Sequence, residues 1–366
     1  MFVLDLFLYV YGKIKPRYMK NLIASVVLIV SFQLAKAQDL ETILLAADDA
    51  SLLSQNYLNP AMEGLMYSMN GGWATTAKVH KKFGFDLTIG VNASLVPEEA
   101  KTFAFVPSDY SYLTLANNET ELQTIMSEDD AEVMVDVEIP NGDGTYKVVS
   151  FTMPGGITED LPVNAVPAPT VQVGFGLPFK TDIKARFVPT QRYDDVEAKL
   201  LGFGLQHDLT QYLGIIDKSP LSVSVLGAFT NMSVTYAMAD EDATDNVEVL
   251  NGKAEFKMNT WTVQALASLD FKLITLYGSA GYNSGKTTAK IKGDYILTYD
   301  IEDENGNSAG LPEDVNVTDP INLDFEANGM RATLGMRLNL SVFKIFADYT
   351  FQNYNTATVG IAFSVR

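Results

Sequence analysis

The 366-residue chain has no cysteine, two histidines (His80 and His207) and two tryptophans. After residue 40 no apolar run approaches the ~20 residues that a membrane helix needs. Without thiols there is no disulfide framework, no thiolate metal site and no lipid-modified cysteine. Two imidazoles leave little material for a multi-histidine metal centre. Basic residues are scarce as well: 26 Lys and Arg stand against 45 Asp and Glu, a formal charge of −19. That charge repels phosphate backbones and argues against nucleic-acid binding. The acid is concentrated in Glu119–Glu138, in Asp240–Glu248, and in Asp300–Asp319, which holds seven acids and no base. No complete calcium-loop pattern accompanies these clusters, so they read as solvated loop surface.

The beginning reads as an export signal: Lys20 and Asn21, an apolar run from Leu22 to Leu34, then Ala35-Lys36-Ala37 as the small-x-small cleavage pattern. Residues 1–37 are therefore expected to be removed. Met19-Lys20 begins a complete signal by itself, so the true start is either Met1 or Met19. Residues 1–37 carry five basic groups and one acid, leaving 21 basic against 44 acidic groups in the mature chain, a net of −23.

What the chain does have is a period of two. From Thr356 to Arg366, Ala357, Val359, Ile361, Phe363 and Val365 alternate with small or polar residues. Successive strand side chains lie on opposite faces, so one face is continuously greasy. The same split recurs in pairs of segments joined by tight turns: Met330–Leu340 with Phe343–Phe351, Trp261–Leu269 with Leu273–Tyr282, and Thr170–Leu177 with Asp182–Phe187. Lipid outside and water inside select that split, and repeated hairpins favour a meander. Helical spacing appears only between Gln38 and Leu58, before an Asn59-Pro60 break.

Three long connections, near Pro97–Pro169, Ala239–Gly252 and Asn283–Asn328, lie on the side opposite the tight turns and hold most of the acid. The first is expected to carry a hairpin, Glu132–Ile139 with Thr145–Thr152, across Asn141-Gly142-Asp143-Gly144. Counting back from the last strand gives about eleven crossings if Gly71–Val79 is one of them, whereas closed bacterial barrels have an even number. The fold class expected is thus all-β: a transmembrane antiparallel meander β-barrel of about 12–14 strands. It follows an N-terminal helix or plug over residues 38–63, with the barrel over 64–366.

One stretch points to a family. Asn59-Pro60-Ala61, leading through Gly64-Leu65-Met66-Tyr67 to Gly71-Gly72-Trp73, resembles the start of FadL-type outer-membrane barrels and of a related uncharacterised outer-membrane family. Gly202-Phe203-Gly204-Leu205-Gln206-His207-Asp208-Leu209 is similar to the latter as well. The resemblance implies a barrel with an N-terminal plug that passes hydrophobic compounds across the outer membrane of a Gram-negative cell. No ligand-binding residue of the family matches a position here.

By register, Asp182, Lys184, Arg186, Arg331, Arg337 and Asp348 face inward. They form either a constriction that steers an anionic head group or, as the interleaving of opposite charges favours, an ion-pair ladder. Asn59 and Pro60 mark the plug. Trp261, Tyr277, Tyr349 and Phe351 suit an aromatic girdle at the interface. The paired glycines Gly174/Gly176 and Gly202/Gly204 read as small residues facing a crowded lumen. A lipase built on His207 would need a nucleophile elbow, and none is present; no catalysis, cofactor or metal is expected. The function expected is passage or binding of a hydrophobic small molecule by a monomer embedded in outer-membrane lipid. The alternative is a structural or surface-interaction barrel with an occluded lumen.

Overall fold

The structure, a computed structural model, describes residues 46–365 except 116–119, 128–132, 141–145, 159–160, 162–163, 194–195, 215–218, 239–246 and 300–312. Residues 1–37, expected from the sequence to be an export signal, and residues 300–312 of the third connection lie outside the described residues. Helix α1 (Ala47–Met69) comes first, followed by an unpaired extended segment, residues 70–84, and strand β1 (Phe85–Leu95). Short strands β2 (Thr102–Ala104), β3 (Leu113–Leu115), β4 (Glu121–Gln123), β5 (Met134–Pro140) and β6 (Tyr146–Thr152) make a cap. The wall continues with β7 (Ala165–Leu177), β8 (Thr181–Tyr193), β9 (Val196–Asp208), β10 (Leu221–Ala237), β11 (Val247–Asp270) and β12 (Ile274–Tyr299). After β13 (Glu313–Thr318) come β14 (Ile321–Leu340), β15 (Phe343–Phe351) and β16 (Thr356–Val365).

Ten of these strands close a ring, β1-β7-β8-β9-β10-β11-β12-β14-β15-β16, and β16 returns to β1 over Phe85↔Val365 to Ser94↔Thr356. Every neighbour is antiparallel, while β13 pairs only with the tip of β12. The ring therefore has ten strands, not 12–14. The surplus crossing was Gly71–Val79, whose alternation imitates a strand but which makes no ladder. The β5–β6 hairpin expected in the first connection is present, in the cap.

The wall's chemistry follows the period of two. Outward positions are apolar and exposed, among them Ile89, Val173, Leu205, Val263 and Leu334, while inward Gln172, Ser224, Thr262 and Thr275 are buried. Strands β15, β16 and β1 have 9, 10 and 11 residues, the length that crosses a bilayer core at the usual tilt. Strands β11, β12 and β14, with 24, 26 and 20 residues, project well beyond it. Aromatic pairs fringe the belt. Trp261 and Tyr282 (centroids 5.8 Å apart) and Tyr349 and Phe351 (5.0 Å) mark the long-loop end, and Phe343 against Phe363 (5.6 Å) marks the short-turn end. Tyr277 is not part of the girdle: the register that turns Leu276 outward turns Tyr277 into the interior, where its hydroxyl donates to Asp348 Oδ2 at 2.8 Å.

Helix α1 lies inside the ring, touching β14 and β12 on one side and β1 and β7 on the other. It does not stop at Asn59-Pro60. Proline removes one helical hydrogen bond and crowds the preceding turn, yet packing carries the helix ten residues further. Its apolar face, including Leu53, Leu58, Met62 and Met66, joins Phe256, Met258, Leu323 and Phe325 of the projecting strands and Phe105, Leu122, Ile125 and Val135 of the cap in one core. The Asp49 carboxylate fastens cap to helix: Oδ2 accepts the backbone N–H groups of Ser111, Tyr112 and Leu113 at 2.9, 2.7 and 3.2 Å.

The belt makes a depth-dependent prediction. Ala265→Arg, at mid-belt between Trp261 and the short turn, should destabilise the folded barrel by ~2–4 kcal/mol, and Asn259→Arg, beyond the Trp261 girdle, by no more than about 1 kcal/mol. Denaturant titration of the protein folded into lipid vesicles measures both, and equal costs would displace the belt from this position.

Candidate functional site

The last turn of a helix leaves carbonyl oxygens without partners and carries partial negative charge. Helix α1 has no basic residue in its last turn; the barrel wall supplies the charge instead. Arg186 of β8 donates through Nη1 to Met69 O (2.9 Å), through Nη2 to Gly71 O (2.6 Å) and through Nε to Gln172 Oε1 (3.1 Å). Its guanidinium also lies 3.9 Å over the Trp73 ring. Arg331 of β14, five strands away around the ring of ten, donates through Nη1 to Asn70 O (2.8 Å) and Asn283 Oδ1 (3.2 Å). Its Nη2 reaches Thr333 Oγ1 and Thr350 Oγ1 at 3.2 and 3.3 Å. Two opposed, buried guanidinium groups thus clamp three consecutive carbonyls where the helix ends.

Below the clamp the extended segment is held by side chains rather than by a ladder. Gln172 Nε2 donates to Trp73 O at 3.3 Å and Gln206 Nε2 to Thr76 O at 2.9 Å. Thr76 Oγ1 donates to Asp270 Oδ1 at 3.0 Å, and Ala77 N to Ser268 Oγ at 3.1 Å. Arg337 reaches Thr75 Oγ1 at 3.3 Å and stands 3.9 Å from Asp270. At the short-turn end His80 N and Nδ1 both meet the Asp182 carboxylate, at 3.0 and 2.9 Å. The glycines make the room. A Cβ at Gly202 or Gly204 would come within 3.1 and 3.0 Å of the Trp73 indole, and one at Gly174 or Gly176 would collide with Asp86 and with the Lys81 carbonyl. Gly72, at φ +66°, turns the chain from helix into this descent.

All six candidate interior residues lie on the inner wall: Asp182, Lys184, Arg186, Arg331 and Asp348 are buried, and the Arg337 side chain is 17% exposed. They do not form an ion-pair ladder. Among the described residues Arg337 alone of the three interior arginines comes within 4.0 Å of a carboxylate. A buried guanidinium needs several acceptors, and backbone carbonyls of the same chain provide them. Pro60 is buried and Asn59 half-buried in mid-helix, with Asn59 Nδ2 donating to Glu63 Oε1 at 3.1 Å, away from the clamp. Trp73, Thr76 and His80 are the interior residues that periodicity missed. The signal for them was glycine and glutamine at inward strand positions. His207 meets Thr181 Oγ1 (2.8 Å) and Tyr212 OH (3.2 Å), and among the described residues no serine bonds to it.

The chain belongs to a family of unknown function, DUF6588, whose model matches residues 19–365. No curated protein matches it. Among solved structures, it is similar to Ail, the attachment invasion locus protein of Yersinia pestis, at 10% identity and TM-score 0.24 over 78% of this chain and 100% of that one. It is similar to the translocator domain of autotransporter NalP from Neisseria meningitidis, at 10% identity and TM-score 0.26 over 88% and 99%. A third is the CymD monoaromatic hydrocarbon channel, at 10% identity and TM-score 0.18 over 85% and 92%.

The clamp predicts a local loss. Arg186→Met should leave the wall folded while stranding the carbonyls of Met69 and Gly71, at about 1–3 kcal/mol for each buried group left unpaired. Hydrogen exchange should accelerate across residues 69–77 and stay unchanged in β14–β16; unchanged protection of 69–77 would remove the clamp.

Proposed function

We propose that this chain, a member of a family to which no activity is assigned, is an outer-membrane barrel that binds and passes a hydrophobic small molecule, with its own residues 47–84 as a displaceable plug. One observation carries the reading: the interior is divided into two chemistries. Toward the long loops, Met62, Met66, Met126, Met153 and Met258 join aromatic and aliphatic residues in one apolar core. Methionine is unbranched and polarizable and repacks readily around different apolar shapes. Such a lining supports uptake of an apolar guest between helix and wall. Toward the short turns the interior is mostly polar and arginine-clamped, with one small apolar cluster of Trp73, Ala77, Leu226, Ala228 and Leu266, and the segment there is held by hydrogen bonds that water can replace.

In this mechanism a guest enters beneath the cap, repacks the methionine layer and loosens the helix. Release of the Met69, Asn70 and Gly71 carbonyls bares Arg186 and Arg331. Those guanidiniums, with Lys184 and Arg337 nearby, then suit a carboxylate head group. The FadL-type resemblance of residues 59–73 agrees with this reading. The ring closes within one chain, so a monomer suffices.

A second reading, a surface-interaction barrel that never opens, is favoured by the cap. Tyr57 OH donates to Gly155 O at 2.7 Å and Asp49 holds three cap amides, closing the long-loop end over the helix.

The absence of cysteine allows a clean test between the two. Ser68 Oγ of the helix and Ser94 Oγ of β1 are 2.8 Å apart, within reach of a disulfide. Ser68→Cys/Ser94→Cys should block passage of a hydrophobic dye across proteoliposomes when oxidised, and thiol reduction should restore it. Equal passage by the oxidised and reduced forms rules out a moving plug, and no passage by the parent protein in either condition favours the closed surface barrel.

A further inference from the structure

Beyond the Trp261–Tyr282 girdle the outer wall turns cationic, against the charge of the chain as a whole. Lys253 and Lys257 of β11 and Lys290 and Lys292 of β12 point outward there, and Lys199 of β9 shares a row with Ser233 of β10 and Lys257. Lys253 and Lys292 are direct cross-strand partners. Like charges so placed repel, and a single carboxylate holds them together. Glu255 accepts from Lys253 Nζ at 2.9 Å, Lys257 Nζ at 3.2 Å and Lys292 Nζ at 3.4 Å.

The layering is informative. The Glu255 side chain is 13% exposed, whereas those of Lys253, Lys257 and Lys292 are 44%, 56% and 33% exposed. The anion lies underneath with three ammonium groups above it. The Lys253 hydrogen bond, helped by Lys257 and Lys292, outweighs burial and pulls the Glu255 carboxyl down to about 2, so it stays ionised at neutral pH. Each ammonium has three donors and the carboxylate only about four acceptor sites. More than half of the donors therefore remain for a second anion. Two further carboxylates, Glu197 of β9 in the row of Thr235 and Glu255 and Asp294 of β12 two residues beyond Lys292, leave five lysines against three acids. On the other flank Lys286 is already answered by Glu326 (3.1 Å) and Asp324 (3.9 Å), which confines the excess to β9–β12.

Position selects the kind of anion. Lys257 lies four residues before Trp261 on β11, which descends from the long-loop end, and so stands roughly 10 Å nearer that end along the barrel axis at ~3.3 Å per residue and the usual tilt. That is head-group depth, on the outward face, where lipid is the neighbour. We propose that Lys253, Lys257 and Lys292, gathered around Glu255, bind the phosphate of a phosphorylated lipid in the leaflet surrounding the long-loop end. The inference rests on the membrane placement of the belt and does not require the plug to move.

The test uses the full protein in phosphatidylcholine nanodiscs doped with lipid A, phosphorylated or dephosphorylated, with retained lipid counted by mass spectrometry after gel filtration. The parent protein should retain the phosphorylated form over the dephosphorylated one by roughly tenfold or more. Lys253→Gln/Lys257→Gln/Lys292→Gln should abolish the preference with the heat-modifiable migration of a folded barrel intact. If the triple variant does not fold, Lys257→Gln alone should weaken retention by roughly fivefold, and replacement of all three lysines by arginine should keep it. No preference in the parent protein, or undiminished preference in a folded Gln variant, overturns the assignment. Displacement of the lipid by millimolar inorganic phosphate overturns it too, marking a general anion site instead. None of these outcomes bears on dye passage, so this proposal and the moving plug stand or fall separately.

Discussion

A peptide chain that runs through the middle of a sheet cylinder without joining the sheet has no ladder to satisfy its N–H and C=O groups, and a buried group left unpaired costs about 1–3 kcal/mol. Much of this interior answers that constraint. Inward positions that would otherwise carry small hydroxyls to fill space carry arginine, glutamine and aspartate where residues 69–80 pass. Arg186 and Arg331 serve three carbonyls, Gln172 and Gln206 serve two more, and Ser268 and Asp182 take two amides. The clamp sits at the end of α1 because that is where the unpaired carbonyls and the negative end of the helix coincide.

The same constraint explains what could be read from the sequence. The outward belt was legible because lipid imposes a strict period of two, and Val359, Ile361 and Phe363 or Met330, Leu334 and Met336 display it without interruption. An interior segment is not constrained in this way. Gly71–Val79 alternates Trp73, Thr75, Ala77 and Val79 because its side chains meet glycine gaps on one wall and hydroxyls on another, and this pattern matches that of a strand. Only pairing separates the two cases, and pairing is a property of the closed ring. Pro60 misleads for a related reason: local preference breaks the helix there, while packing between β1, β7, β12 and β14 carries it on. The partners of the arginines were invisible because a backbone carbonyl leaves no mark in a sequence. Their inward direction was visible; their purpose was not.

The division of the interior also has a physical origin. Where the long strands rise past the belt, the inner face is no longer lined by hydroxyls and amides but by Phe256, Met258, Leu323 and Phe325, which build an ordinary apolar core with α1 and the cap. The outer face passes from hydrocarbon to the head-group layer at the same height and becomes charged. One strand such as β11 thus exchanges its two faces partway along: greasy outside and, Leu266 apart, polar inside below Trp261, charged outside and greasy inside above it. A chain of net charge −19 places a local surplus of lysine on that upper outer face.

The pairing of β1 with β16 has a consequence for biogenesis. That junction is the only place where the two ends of the meander meet, and ten residue pairs zip it shut around an occupied bore. A helix with cap, clamp and descending segment attached on both sides cannot be fed into a finished cylinder like a cork. The sheet has to wrap around its contents, with the first and last staves joining last, so a mutation that slows formation of α1 should surface as a stalled assembly intermediate rather than as an empty pore.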